Sequence, residues 1–212
     1  IVSIYLGDEL NAVVQSIIDG TNYTDPEKSV LRIGVDVLPM IPKDTTDRNR
    51  TSPLAFTGNK FEFRMLGSSQ SVSGPNIALN TIMAEELGRF ADVLEKADNF
   101  DAALQTLVCK ALTEHSRIIF SGNGYSEEWK AEAARRGLDC ETSVPLIFDA
   151  YLKDSSVRMF ESTGVMTRKE LEARNEVKWE MYTKKIQIEA RVLGDLTMNH
   201  IIPMATRYQT SL

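Results

Sequence analysis

The chain has 212 residues, 42% hydrophobic and 25% charged, enough apolar material for one large domain or two small ones. Its formal net charge of −6 argues against general binding to nucleic acid or to an anionic membrane. Two distant cysteines, Cys109 and Cys140, imply no disulfide framework, and no run has the length of a membrane span or the form of a signal peptide, so a reducing cytoplasm is the expected compartment.

The sequence opens in an apolar run, Ile1 to Leu6, without an initiator methionine, and closes at Gln209-Thr210-Ser211-Leu212 without a helix-stop signal. Both ends read as cut through structure, so a larger protein is expected. A first helix is predicted through Asp19, with Leu6, Leu10, Val13, Val14, Ile17 and Ile18 on one side and Gly20 as its stop. Asn22 to Pro26 reads as a turn, Asp25-Pro26-Glu27 as the start of a short helix, and Pro39 to Lys43 as an irregular approach to the next segment.

That segment carries the chemistry. Asp47-Arg48-Asn49-Arg50-Thr51-Ser52-Pro53, followed by Gly58-Asn59-Lys60-Phe61-Glu62-Phe63-Arg64, gathers four cationic side chains, Arg48, Arg50, Lys60 and Arg64, around one carboxylate, Glu62. Such a pattern suits a site that holds phosphate and a metal ion: arginine offers a planar donor fork, and a carboxylate oxygen is a hard ligand for a divalent cation. Alternation with period two predicts a strand that turns at Gly58-Asn59, ends at Gly67-Ser68-Ser69, shares Lys60, Glu62 and Arg64 on one face and is anchored by Phe61, Phe63 and Met65 on the other. The competing reading is an antiparallel strand with a solvated polar face.

Asn49-Arg50-Thr51-Ser52, a short spacer, then Phe61-Glu62-Phe63-Arg64 and a small-residue loop resembles the glutamine synthetase family in its long, type III form. The resemblance implies an ATP-dependent ligase that joins glutamate and ammonia through a γ-glutamyl phosphate, using Mg2+ or Mn2+ and assembled as a homo-oligomer of stacked rings. It implies that Arg50 stabilises the transferring phosphoryl group, that Lys60 contacts nucleotide phosphate, that Glu62 ligates the divalent ion, and that Arg64 holds glutamate or its acyl phosphate. One departure stands in the spacer, where common forms carry another nucleotide-contacting arginine and this chain has Leu54, Ala55 and Phe56. The further carboxylates and histidine that the chemistry requires do not accompany Glu62; His115 and His200 fall in helical segments outside the motif. The chain alone is therefore expected to be inactive.

Downstream, Gly74-Pro75 opens a helix with Ile82, Met83, Leu87, Phe90 and Leu94 in register. The resemblance implies that the part shared with all forms ends near Ala97, giving residues 1–97 as the C-terminal part of a catalytic domain and 98–212 as a helical region special to type III, to which Arg117 to Phe120, Gly122 to Ser126, Glu128-Trp129 and Arg135 to Leu138 are also similar. Asp98-Asn99 caps a predicted helix bearing Leu104, Leu107, Val108, Ala111, Leu112, Ile118 and Ile119, and Gly122-Asn123-Gly124 reads as its C-cap and turn. A short helix starts at Ser126 and stops at Gly137, another starts at Pro145, and the capping box Thr167-Arg168-Lys169-Glu170 opens a final long helix. Trp129 and Trp179 read as packing residues and Cys109 as a buried thiol. The fold class is α+β, predominantly helical. The alternative to a ligase portion is a helical interaction or oligomerisation module in which the basic strand is incidental, and an upstream reading frame rich in Glu-x-Glu strands would separate the two.

Overall fold

In a computed structural model, residues 3–23, 30–31, 41–42, 50–65 and 67–212 are described, and for 30–31 and 41–42 only the backbone. The short helix at Asp25-Pro26-Glu27 and Arg48 of the motif lie outside them. The element order is β1 (Ile4–Tyr5), α1 (Asp8–Asp19), β2 (Val30–Leu31), β3 (Ile41–Pro42), β4 (Leu54–Phe56), β5 (Phe61–Phe63), α2 (Ser73–Leu94), α3 (Phe100–His115), α4 (Glu127–Arg135), α5 (Val144–Phe148), α6 (Asp154–Ser162), α7 (Arg168–Leu196) and α8 (Ile202–Ser211). The fold is predominantly helical α+β, as expected. No helix among the described residues is long and apolar enough to cross a membrane. Two compact units emerge, one of Ile1–Ile77 with Glu86–Glu141, the other of Ala78–Glu85 with Thr142–Leu212.

The first unit is built on a three-stranded sheet of order β1-β4-β5, with β1 parallel and β5 antiparallel to β4. The opening apolar run thus feeds a strand and not the first helix: Gly7, at φ 81°, breaks the chain between buried Leu6 and the helix that begins at Asp8. Asp8 and Glu9 sit at the positive end of α1, and Gly20 closes it in the left-handed conformation at φ 65°, as predicted. The spacer Leu54-Ala55-Phe56 is itself the central strand, with Ala55 fully buried. A pair β2–β3 is antiparallel, so Ile41 and Pro42 are strand where an irregular approach was expected.

α3 ends earlier than predicted, at His115, and a 3-10 turn over Ser116–Ile118 delivers Ile119 to a parallel bridge with Ile4. Asn99 caps the helix as predicted, its Oδ1 accepting from the Ala102 N–H. Gly122-Asn123-Gly124 is consequently a loop after this bridge, not a helix C-cap. Ser126 accepts from the Trp129 N–H to start α4, and Gly137 at φ 70° stops it. Trp129, with no exposed surface, is stacked on Phe120 at 4.2 Å between centroids and lies under the Arg136 guanidinium at 5.2 Å. Cys109 and Cys140 are both free and half-buried, so Cys109 is less covered than predicted: it lines an open groove between α1 and α3.

In the second unit, Pro145 lies in the first turn of α5, and a 3-10 turn follows over Asp149–Leu152. The capping box forms as read from sequence: Thr167 Oγ1 accepts from the Glu170 N–H while Glu170 Oε2 accepts from the Thr167 N–H. Leu171, Val157 and Phe160 form the buried centre. Trp179 packs edge-on to Phe148 and donates to Asp149, which also accepts from buried Asn175. α7 and α8 are joined by a π turn over Thr197–Ile201. Pro203 lacks the N–H that would serve the Asn199 carbonyl, and the preceding turn widens.

Candidate functional site

β4 and β5 form a hairpin in which Phe56 pairs with Phe61 and Ala55 with Glu62. The turn is closed by the Thr57 N–H on the Lys60 carbonyl at 2.9 Å, with Gly58 at φ 98°. Period two along β5 then sets Lys60, Glu62 and Arg64 on one side. Glu62 Oε2 accepts from Arg64 Nη2 at 3.1 Å and Nε at 3.3 Å, and Glu62 Oε1 lies 3.5 Å from Lys60 Nζ. The Arg64 guanidinium holds the Glu62 carboxyl below the usual carboxylate range, and Lys60 acts in the same direction. Glu62 is thus an anion throughout the neutral range, flanked by two cations.

The other face departs from expectation. Phe61, Phe63 and Met65 are 53%, 38% and 61% exposed, whereas the Arg64 side chain retains only 17%. β5 is an edge strand among the described residues, and on its aromatic face Phe61 packs against Phe56 of β4 at 5.3 Å between centroids. On the charged face Arg64 is the well-covered member, whereas Glu62 and Lys60 are 39% and 66% exposed.

Arg50 stands outside the Lys60–Glu62–Arg64 cluster. It is exposed, makes no ion pair among the described residues, and has φ 55°, a left-handed conformation that costs a non-glycine residue about 1–2 kcal/mol. The chain beyond it is firmly tied. Ser52, fully buried, donates to the Leu54 carbonyl at 2.9 Å and the Ser3 carbonyl at 3.3 Å. The Arg64 N–H donates to the Pro53 carbonyl at 2.7 Å, and the Gly124 N–H donates to the Thr51 carbonyl at 2.7 Å. The segment after Arg50 is therefore bonded to the site strand on one side and to the Gly122–Gly124 loop on the other. Sequence reading placed a turn here but not its bond to the Arg50 segment, because two glycines around an asparagine signal any turn equally well.

Glu62 is one carboxylate, and no group of three or more His, Cys, Asp or Glu able to hold a metal ion occurs among the described residues. His115 and His200 are exposed, in α3 and the π turn respectively. The described residues fit one corner of a divalent-ion site and not a whole one.

Residues 103–212 match the glutamine synthetase C-terminal domain family. The whole chain aligns, at 43% identity, with 30% of a glutamine synthetase of Bacteroides fragilis (strain YCH46) and, at 42%, with 29% of a type-3 glutamine synthetase of Dictyostelium discoideum. A glutamine synthetase of Butyrivibrio fibrisolvens is 32% identical, again over 100% of this chain and 30% of that protein. The chain spans about three-tenths of the length of these relatives.

Proposed function

The chain belongs to the glutamine synthetase family, as a C-terminal portion of the type III form, and from that premise we propose that the full-length protein is an ATP-dependent glutamate–ammonia ligase to which Arg50, Lys60, Glu62 and Arg64 contribute. The observation that carries the reading is the fork of Arg64 on Glu62 at 3.1 and 3.3 Å with Lys60 on the opposite oxygen, all on one strand face. In this reading a γ-carboxylate oxygen of glutamate attacks the γ-phosphorus of ATP, ADP leaves, and ammonia displaces phosphate from the γ-glutamyl phosphate. Arg50, exposed and outside the cluster, is free to meet the transferring phosphoryl group; Lys60, 66% exposed, reaches nucleotide phosphate; Arg64 holds glutamate or its acyl phosphate.

Glu62 would supply one oxygen ligand to Mg2+ or Mn2+, and the other ligands would have to come from elsewhere in the full polypeptide. Such an ion, when bound, would neutralise charge on the phosphoryl oxygens. With a single carboxylate, residues 1–212 alone should not make glutamine. The division into a catalytic part, 1–97, and a helical part, 98–212, belongs to the same proposal, as does a cytoplasmic location. Assembly as a homo-oligomer of stacked rings is supported by apolar side chains left exposed along the last helices, among them Leu193 at 64%, Met198 at 66%, Ile201 at 57% and Met204 at 68%.

The test is kinetic, on the full-length enzyme. Glu62→Gln keeps shape and removes the charge, so turnover should fall by orders of magnitude with the melting temperature preserved. Arg64→Lys keeps charge and loses the fork, so use of glutamate should suffer more than affinity for ATP. Near-wild-type turnover in both variants would sink the assignment and leave β5 a solvated strand.

A further inference from the structure

The loop Gly122-Asn123-Gly124 lies within the part of the chain that matches the C-terminal domain family, yet its contacts run to the start of the sheet and to the Arg50 segment. Two hydrogen bonds make the connection: the Phe120 N–H donates to the Ile4 carbonyl at 3.0 Å, within the parallel bridge of Ile119 with Ile4, and the Gly124 N–H donates to the Thr51 carbonyl at 2.7 Å. Space at Gly124 is used up. A Cβ there would lie 2.8 Å from Ser3 Oγ, 3.1 Å from the Thr51 carbonyl oxygen and 3.4 Å from Pro53 Cδ. The first distance is closer than real Cβ atoms come, and the second forces the Thr51 peptide back by a few tenths of an ångström.

That carbonyl belongs to the Thr51–Ser52 peptide, one residue beyond Arg50, whose left-handed backbone persists only while its surroundings over-determine it. On the C-terminal side of Arg50 those surroundings include the Gly124 N–H on Thr51 and the buried Ser52 hydroxyl on Ser3 and Leu54. Pro53, the third neighbour of Gly124, accepts from the Arg64 N–H, so the same contact borders the site strand.

We propose that Gly124 is a positioning residue for the ligase reaction: the loop it ends, a part of the C-terminal region, sets the backbone of Arg50 and thereby the reach of its guanidinium to the transferring phosphoryl group. This rests on the reading of Arg50 given above. The C-terminal region then acts on catalysis as well as on architecture.

The experiment is a double-mutant cycle on the full-length enzyme, with Gly124→Ala, Arg50→Ala and the pair, reading kcat, the two KM values and the melting temperature. Gly124→Ala should lower kcat about tenfold, since sub-ångström misplacement of a group that meets the transition state costs rate steeply, with little change in KM for ATP. In the Arg50→Ala background the same substitution should change kcat less than twofold, because the group it misplaces is gone. Ser3→Ala combined with Gly124→Ala guards against simple misfolding: it removes the 2.8 Å contact and restores the melting temperature, but leaves the push on Thr51, so kcat should stay low. Equal fractional losses in both backgrounds, or recovery of kcat together with the melting temperature, would overturn the positioning role while leaving Arg50 as assigned. Unchanged kcat in Arg50→Ala would overturn the reading of Arg50 and the proposal with it.

Discussion

Trp129 is where the first unit has most to lose. It has no exposed surface, is stacked on Phe120 at 4.2 Å, and is capped by Arg136, which also donates to the carbonyls of Arg117 and Ile119. Removing the ring deletes roughly 200 Å² of buried apolar surface, about 5 kcal/mol at 25 cal/mol per Å² as an upper figure. Measured substitutions of this kind cost about 3–5 kcal/mol, against about 5–15 kcal/mol for a whole domain. Trp129→Ala should therefore remove most of the stability of the first unit. Trp129→Phe is expected to cost only about 1 kcal/mol, because about 2 kcal/mol of lost packing is offset by loss of an indole N–H that is buried without a partner. Urea unfolding followed by far-ultraviolet circular dichroism measures both, and Trp179 fluorescence reports the second unit separately. A cost below about 1 kcal/mol for Trp129→Ala would refute the reading of this stack as the centre of the unit.

Acid should act on the same neighbourhood. Arg135 and Arg136 hold the Glu132 carboxyl down at about 2, from 4.5; a lowered folded-state value means that its stabilising contribution is complete above 4.5 and lost as pH falls from there through about 2. Glu132→Gln should flatten the stability profile in that acid window, and a profile that still tracks wild type would exclude Glu132 as its source. At the other end of the chain, Thr167→Ala removes one half of the capping box and should cost about 1 kcal/mol by urea titration; a loss within 0.2 of zero would mean that Glu170 holds the helix start unaided.

Sequence was most legible where a signal acts over three or four residues. Asn99, Ser126 and Thr167 cap helices because their side chains reach backbone N–H groups one turn on, and Gly20 and Gly137 stop helices because they take positive φ cheaply. What was missed depends on partners far along the chain. Ile4 and Tyr5 become strand only by pairing with Leu54 and Ala55, and α3 stops at His115, with no glycine or proline there, because Ile119 is drawn to Ile4. α6 escaped notice because Lys153 at its N-cap gives no side-chain bond. For the site, the strand face of Lys60, Glu62 and Arg64 was readable from alternation, whereas the separate standing of Arg50 was not: proximity in sequence says nothing of which cation reaches a carboxylate.

The exposure of the aromatic face of β5 bears on what fixes this site. A half-buried strand is ordinarily held by its apolar side, with the polar side free to adjust to solvent. Here Phe61 and Met65 are mostly exposed, so dispersion from that side contributes little, and the order of the charged face comes from the hairpin ladder, the Arg64 bond to Pro53 and the ion pairs on Glu62. Backbone hydrogen bonds fix position without filling volume, so they hold Arg64 and the Thr51 peptide in place while leaving the aromatic face open to whatever packs on it. Constraint on the charged face therefore originates within these 212 residues, and through Gly124 part of it originates in the C-terminal region; the aromatic face has Phe56 against Phe61 and still leaves Phe61 and Met65 more than half exposed.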